Sequence, residues 1–331
     1  MSDASDALRS TSDLPRLTDI LAARAPVYAH LQRTPLHSYP GLSELMGAQV
    51  FVKHENHLPV GAFKVRGGVN LAAGLSQEER ERGLITASTG NHGLSIAFGG
   101  RATGTPVSVA VPEGANPEKV AAIRALGARV IFHGVDFDEA REWAEDQAKQ
   151  SGARFIGPTS PELIAGVGTY ALEILEDLPD VDAIFVPIGS GSAACGVLRV
   201  AKAINPEIQV IGVQAEAAPA AFLSWREGRP VEAAMNTRAE GLATRVSFPN
   251  AQALLRDPRR GLDDFVLVSD EAMDDAIRLL LQHTHNLAEH AGAAALAAAV
   301  ARREDWAGKK IAVVLSGGNL ASADLARIAA G

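Results

Sequence analysis

Cysteine is nearly absent from this sequence: its 331 residues include one, Cys195. A single thiol excludes an internal disulfide and a zinc site built from several thiolates. Long hydrophobic runs are also lacking, because the most apolar stretch, AGAAALAAAVA, is rich in alanine and too short to span a bilayer. The first fourteen residues lack the apolar core of a signal peptide, so we expect residues 1–14 to form a disordered arm. Together these absences favour a cytoplasmic protein.

An excess of positive charge is missing as well. The chain has 31 Lys and Arg against 39 Asp and Glu, which gives a formal net charge of −8. This balance gives no electrostatic reason to expect nucleic acid or an anionic membrane surface as a partner, and a small metabolite is the better expectation. The chain is 47% hydrophobic, and its length suggests about two domains with sizeable cores.

Short runs rich in β-branched residues alternate along the chain with segments that have apolar residues at helical spacing, such as 117–126 and 137–150. This alternation predicts an α/β fold whose parallel sheets are covered by helices on both faces. No proline-rich linker separates the two halves, so we expect the chain to cross between two lobes. The eight predicted strands are 49–55, 83–88, 106–112, 128–134, 183–189, 208–214, 265–269 and 310–318.

Small residues follow the predicted strand at 183–189. The stretch PIGSGSAACG offers glycines, which let backbone N–H groups approach an anion, and serine hydroxyls that add donors. The next helix would direct the positive end of its dipole at the same point. This chemistry suits a phosphate group, although a tight turn between strand and helix explains the same residues. They are Gly189, Ser190, Gly191, Ser192 and Ala193.

A second loop of donors, STGNH, follows the predicted strand at 83–88. Ser88, Thr89 and Asn91 would surround a carboxylate at the start of the next helix, together with backbone N–H groups freed by Gly90. Helix capping is the alternative, because Ser, Thr and Asn are the preferred capping residues.

One lysine, Lys64, lies in the segment GAFKVRGG. Taken alone, it is better explained as a solvated helix lysine. An enzyme that binds pyridoxal phosphate covalently and delivers an amino acid to it needs a lysine, a phosphate loop and a carboxylate loop together. A lysine buried beside the cofactor has a lowered pKa, which lets it serve as nucleophile and base.

From RTPL (33–36) onward, the sequence resembles the fold-type II pyridoxal-phosphate enzymes, and within them the threonine/serine dehydratase and serine racemase branch. Five motifs occur in the family's order: GAFKVRGG, STGNHG, GSGSAACG, AEHAGAAALAA (288–298) and LSGGN. The resemblance implies the tryptophan synthase β-like fold, with two lobes that each contain an open, mostly parallel twisted sheet flanked by helices. It also implies a large cofactor-binding domain of residues 15–52 plus 156–331, a small domain of residues 53–155, and a homodimer or homotetramer.

The resemblance implies a role for each matching residue. Lys64 would hold the cofactor covalently and then act as the base at the substrate α-carbon, and Phe63 would pack near the cofactor ring. Asn91 would hydrogen-bond the ring oxygen, while Gly241 and Glu289 would line the cofactor face. The phosphate would be wrapped by Gly189, Ser190, Gly191, Ser192 and Ala193, and the substrate carboxylate would meet Ser88, Thr89, Gly90, Asn91 and His92.

Ser316 resembles the family's partner of the pyridine nitrogen. A serine hydroxyl donates a hydrogen bond, but its very high pKa prevents it from keeping that nitrogen protonated as a carboxylate would. The cofactor ring is then a weaker electron sink. Prompt loss of a β-hydroxyl fits this chemistry better than transamination does.

These features predict a pyridoxal-phosphate-dependent dehydratase, or ammonia-lyase, that converts L-threonine or L-serine to a 2-keto acid and ammonia. The alternatives are a serine racemase-type amino-acid racemase, a dehydratase of a less usual β-hydroxy amino acid, and a non-catalytic binder, which has no use for Lys64 as a base. Thr89 favours elimination over racemisation. Serine racemases have a serine at the matching position, and the extra methyl group of threonine restricts where the hydroxyl points.

Two observations concern metal ions, and neither predicts a site. Four candidate ligands lie close together in the sequence, but surface or interface histidines explain them better. The four are His283, His285, Glu289 and His290. Many relatives near serine racemase have a divalent-cation site, but the residues that match it here, Gln214 and Ala220, supply no carboxylate, although Glu216 lies nearby. Hard cations need several oxygen ligands, so we expect no metal site and weak or absent activation by magnesium or calcium.

Overall fold

The computed structural model describes residues 14–88 and 90–330. The predicted arm, residues 1–14, lies outside the described residues except for Leu14, which is buried in the core. No helix in the described part of the chain is long and apolar enough to cross a membrane.

Ten strands form two sheets in residues 14–88 and 90–330. They are β1 (Leu36–Ser38), β2 (Gln49–His54), β3 (Leu84–Ala87), β4 (Val107–Val111), β5 (Arg129–Phe132), β6 (Arg154–Phe155), β7 (Ala183–Pro187), β8 (Gln209–Ala215), β9 (Asp264–Val268) and β10 (Lys310–Leu315). The larger sheet has the order β1-β2-β10-β7-β8-β9, and the smaller has the order β5-β4-β3-β6. All neighbours are parallel except β1, which pairs with β2 in antiparallel register.

The eight predicted strands are confirmed, and so is the predicted fold class of two mostly parallel sheets flanked by helices. Two strands were not predicted, β1 and β6, which are three and two residues long. Segments of this length carry no alternation of apolar residues. Pairing with β2 and β3 makes them strands.

Fourteen α-helices cover the sheets in the described residues. They are α1 (Leu17–Tyr28), α2 (Pro40–Met46), α3 (Val65–Ala73), α4 (Gln77–Arg82), α5 (Asn91–Thr103), α6 (Pro117–Ala125), α7 (Phe137–Ser151), α8 (Pro161–Asp177), α9 (Ser192–Ile204), α10 (Ala220–Glu227), α11 (Pro249–Leu255), α12 (Asp270–Thr284), α13 (His290–Ala301) and α14 (Ser322–Ala329). Short 3-10 helices span Glu55–His57, Glu240–Leu242 and Arg303–Trp306.

The larger sheet is buried on both faces, and β7 shows this best because all five of its residues are buried. Ile184 and Val186 pack into one apolar layer, which includes residues of α1, α8 and α9. Ala183 and Phe185 pack into the opposite layer, which includes residues of α2, α12 and α13. Alternation of side chains along a strand explains how one apolar run serves both layers.

The sheet topology brings several loops to one place. β2, β10 and β7 are parallel neighbours, so their carboxyl ends lie at the same edge of the larger sheet. Ligands in open α/β sheets bind at that edge.

The predicted small domain, residues 53–155, contains all four strands of the smaller sheet. It also contains the last two residues of β2, which ends at His54 and belongs to the larger sheet. The domain boundaries stay a prediction.

Candidate active site

Lys64 lies beside the end of β10. After β2 and the 3-10 helix of Glu55–His57, the chain forms an isolated bridge between Ala62 and Gly317. The backbone N–H of Phe63 then donates to the carbonyl of Ser316 at 3.0 Å. Lys64 directly precedes α3, so its position is fixed by a strand end on one side and a helix start on the other.

The Lys64 side chain is half-buried, and its Nζ lies 5.0 Å from the centroid of the Phe63 ring. Burial lowers the pKa of this amine to about 8, although Glu289 favours the charged form. A lowered pKa raises the neutral fraction of the amine near pH 7 and makes it a better nucleophile and base. Lys64 is therefore not the solvated helix lysine that the segment alone suggested.

The glycine-rich loop joins β7 to α9. Gly191 has a φ of +94°, a left-handed conformation that glycine adopts without strain. Gly189 lies so close to the carbonyl of Gly241 that a Cβ would overlap it. The hydroxyl of Ser190 is buried and has no hydrogen-bond partner among the described residues. A buried donor without a partner beside a helix N-terminus fits an anion such as phosphate.

The loop after β3 contributes Ser88, whose Oγ accepts the N–H of Gly90 at 3.1 Å. Gly90 precedes α5, and none of the described side chains caps this helix. Capping by Ser88 or Asn91, the alternative left open by the sequence, is thus not observed. Thr89 lies outside the described residues.

Asn91 connects this loop to the larger sheet. Its Nδ2 donates to Oε1 of Glu289 at 2.6 Å, and its Oδ1 accepts from Nδ2 of Asn319 at 2.7 Å. Asn319 also donates to the carbonyl of Val60 at 2.8 Å. Sequence reasoning gave Asn319 no role, although it lies in the LSGGN motif that was singled out.

Glu289 precedes α13, and its backbone N–H donates to the carbonyl of Gly317 at 3.1 Å. Burial raises the pKa of this carboxyl to about 7, against the opposing hydrogen bond from Asn91. Glu289, Asn91 and Lys64 therefore form one cluster of interacting groups, two of which titrate near neutral pH.

The contacts of the His92 side chain differ from the contact with the substrate carboxylate that the resemblance implies. The side chain is buried, and its Nε2 lies 3.0 Å from Oγ1 of Thr86 and 3.1 Å from the carbonyl of Ile156. Burial and the nearby charge of Lys64 lower the pKa of His92 to about 4. Its Nε2 is thus a neutral hydrogen-bonding group between strands.

Ser316 is buried at the end of β10, and its Oγ donates to the carbonyl of Ala291 at 3.3 Å. Gly241 lies next to Ala291 as well as to Gly189. The structure thus brings the glycine-rich loop, Gly241 and the start of α13 together. An amine, a glycine-rich loop with an unpartnered hydroxyl and a neutral hydroxyl donor share one edge of the sheet.

The histidines near α12 and α13 do not form a metal centre. No group of His, Cys, Asp and Glu in residues 14–88 and 90–330 has an arrangement that could hold a metal ion. The prediction of surface or interface histidines is wrong for His290, which is buried with its Nε2 3.0 Å from Asp274. Cys195 is fully buried, and burial raises the pKa of its thiol to about 12.

Comparisons with known proteins agree with this arrangement. A family model described as "Pyridoxal-phosphate dependent enzyme" matches residues 27–317. The L-threonine ammonia-lyase of Thermotoga maritima is 40% identical over 92% of this chain and 75% of its own length. The protein of that name from Geobacter sulfurreducens is 40% identical over 88% of this chain and 72% of its own length.

Two solved structures support the same fold. Threonine deaminase isoform 2 of Solanum lycopersicum superposes with a TM-score of 0.89 and 33% identity, over 94% of this chain and 91% of the other. Maize serine racemase superposes with a TM-score of 0.88 and 30% identity, over 94% of this chain and 96% of the other.

Proposed function

Because the chain belongs to the family of pyridoxal-phosphate dependent enzymes, we propose that it is an ammonia-lyase that converts L-threonine or L-serine to a 2-keto acid and ammonia. The observation that carries this proposal is the placement of Lys64, whose amine has a lowered pKa, beside the strand end that contains the neutral hydroxyl of Ser316; the two segments are joined by the hydrogen bond from Phe63 N–H to the Ser316 carbonyl. The relatives named L-threonine ammonia-lyase support the same substrate class.

The residues of the site fit the cofactor. The unpartnered Ser190 hydroxyl and the start of α9 would hold the phosphate, and Lys64 would hold the ring end covalently. When bound, pyridoxal phosphate withdraws electrons from the substrate α-carbon and makes its proton removable. Gly189 lets this loop pack closely against Gly241, because a Cβ at position 189 would overlap the Gly241 carbonyl.

Lys64 would remove the proton from the α-carbon of the bound amino acid. A lysine with a pKa of about 8 is deprotonated often enough near neutral pH to do so. The proton would then lie on Nζ of Lys64. Ser190 and the start of α9 would hold the phosphate group, which would supply an acid for the departing hydroxyl of the substrate.

The loop at Ser88–Asn91 would hold the substrate carboxylate through the Ser88 hydroxyl and the backbone N–H groups at the start of α5. The Asn91 side chain, held between Glu289 and Asn319, would orient toward the ring oxygen. Ser316 would donate to the pyridine nitrogen without protonating it, which favours elimination over transamination.

A racemase is the second candidate, because maize serine racemase has a closely similar fold. Racemisation needs a second acid or base on the face of the substrate opposite Lys64. Thr89 is the residue that would supply it.

The experiment supplies L-threonine and L-serine in separate reactions and measures keto acid, ammonia and D-amino acid in each. We expect a yellow protein that forms 2-oxobutanoate or pyruvate, with D-amino acid as a minor product at most. Lys64→Ala should abolish turnover. D-serine that forms faster than pyruvate would replace the ammonia-lyase assignment by the racemase, and a colourless protein that takes up no cofactor would contradict both. The expected cytoplasmic location and homo-oligomeric state stay predictions.

A further inference from the structure

Four charged side chains with no exposed surface form a cluster at the start of α3: Lys53, Glu55, Arg66 and Glu173. We call them the buried quartet. Two are cations and two are carboxylates, so their formal charges cancel. None of them was assigned a role in the proposed function.

Arg66 is the centre of the buried quartet. Its Nε and one terminal nitrogen donate to the two oxygens of Glu55 at 2.7 and 2.9 Å. The terminal nitrogens also donate to Glu173 at 2.7 and 3.0 Å. Hydroxyls of Thr169 and Thr34 lie 3.1 and 3.2 Å from them. Every guanidinium nitrogen is therefore engaged, which fixes the plane of the side chain.

The remaining members close the network. Lys53 donates to Glu173 at 2.5 Å and to the carbonyl of Thr34 at 2.8 Å. Tyr28 donates to Glu173 at 2.7 Å. Burial opposes ionisation of Glu173, but Arg66 and Lys53 outweigh it and hold the pKa of this carboxyl at about 2. The carboxylate therefore stays charged throughout the working pH range.

The quartet joins segments that are distant in sequence but meet around Lys64. Glu55 follows β2, Arg66 lies in the first turn of α3, and Glu173 lies on α8. Residues 55 and 66 are thus paired across the segment that contains Lys64. A second contact restrains the same point, because the Ser95 hydroxyl donates to the Lys64 carbonyl at 2.5 Å.

Stability alone is a poor reason for such a network. Taking two ion pairs out of water costs free energy that their mutual attraction only partly returns, and well-packed apolar residues often serve as well. What charged, bidentate pairs supply is a single geometry. Lys64 must reach first the cofactor and then the α-carbon. A fixed geometry helps it do both, because a displacement of its amine by about 1 Å can lower the rate roughly 100-fold.

We propose that Arg66 is a positioning residue that acts through its pairs with Glu55 and Glu173 to aim Lys64 at the cofactor. The proposal rests on the proposed function, in which Lys64 binds pyridoxal phosphate. The Arg66 side chain has no exposed surface, and its guanidinium hydrogen bonds go to protein groups.

The test uses Arg66→Lys, which keeps the charge but loses the fork of donors. We expect the rate of cofactor capture by the apoprotein, followed by absorbance, and kcat of the holoenzyme each to fall at least about tenfold, with KM little changed. The matched control is Lys202→Met, which removes another buried lysine, paired with Asp263 at 2.7 Å near the far end of α9. It should lower the urea midpoint without slowing capture.

A double-mutant cycle separates positioning from general damage. In a Lys64→Ala background, with ethylamine supplied in place of the lysine, Arg66→Lys should cause no further loss, because no tethered amine remains to be aimed. Equal losses in both backgrounds overturn the positioning role. If Arg66→Lys does not fold, Thr169→Val removes one hydrogen bond to the guanidinium and should slow capture about threefold; unchanged capture then overturns the role.

The same measurements distinguish a failure of the positioning role from a failure of the proposed function. If Lys64→Ala loses the absorbance change while Arg66→Lys keeps the normal capture rate, the positioning role alone is wrong. If Lys64→Ala still shows the full absorbance change on addition of pyridoxal phosphate, the proposed function is wrong.

Discussion

The protonation of Lys64 governs when its amine can capture pyridoxal phosphate. Its pKa of about 8 lies well below the ordinary value of 10.5 because the amine is desolvated. The neutral fraction grows as the pH rises through the pKa, so we expect the capture rate of the apoprotein to rise with a midpoint near pH 8. Stopped-flow absorbance across this range measures it. A midpoint near the ordinary value would show a solvated lysine.

Glu289 sets part of that pKa. Its carboxylate favours the charged form of Lys64, so Glu289→Gln should move the capture midpoint to lower pH. The amide oxygen of glutamine can still accept the Asn91 hydrogen bond, which keeps the local structure. Glu145→Gln on α7, where the carboxylate pairs with Arg141, is the control and should leave the midpoint unchanged. A shift to higher pH would contradict the electrostatic coupling.

The sequence predicted some residues of the site and gave another no role. Lys64, Asn91 and Glu289 were predicted because each lies in a short motif that matches the family. Asn319 was quoted within such a motif but given no role, because its partners, Val60 and Asn91, are more than 200 positions away in the sequence. A motif identifies the residue type that chemistry needs, whereas the partner becomes visible only after folding.

At the scale of elements, the loop between β7 and α9 is expected to tolerate little change. Gly189→Ala places a Cβ against the Gly241 carbonyl and displaces the loop, so affinity for pyridoxal phosphate should fall at least about tenfold. Gly114→Ala is the control, because nothing lies within 4 Å of its added Cβ. Equilibrium titration of the apoprotein by absorbance compares them. Equal affinities of the Gly189→Ala and Gly114→Ala variants would show that this loop does not bind the phosphate.

The eight longer strands could be predicted because each is a run rich in apolar residues between two segments with helical spacing. The direction of β1 could not, since three residues carry no pattern and only pairing with β2 makes them a strand. The start of α5 shows the same limit. Ser and Asn near a helix start favour capping in general, but here the Asn91 side chain bonds to Glu289 and Asn319.

At the scale of the whole molecule, tertiary contact also decides the charge states. Arg66 is an ordinary basic residue in the sequence, and nothing near it indicates two carboxylates from positions 55 and 173. His290 likewise reads as a surface histidine until α12 and α14 bring Asp274 and Arg327 against it. Burial of charge is a property of packed elements, so sequence pattern cannot locate it.

Two such carboxylates connect the stability of the whole molecule to pH. Burial opposes ionisation of Asp274, but hydrogen bonds from Arg327 and His290 outweigh it and hold its pKa at about 2. The pKa of Glu173 is also about 2. Both lie below their values in the unfolded chain, so folding is favoured by ionisation. Each carboxylate therefore contributes stability at neutral pH that is lost as the pH falls from the unfolded pKa toward the folded one.

We expect the urea midpoint to fall markedly between about pH 6 and about pH 3, where the unfolded chain binds protons that these two carboxylates do not. Asp274→Asn removes one of the two contributions, so its midpoint should be lower than that of the unchanged protein at the higher pH and should fall less on acidification. Asp146→Asn, on the exposed face of α7, should follow the unchanged protein at both values. If Asp274→Asn loses as much stability on acidification as the unchanged protein does, the Asp274 carboxylate is not held ionised by Arg327 and His290, and the packing of α14 against α12 has another cause.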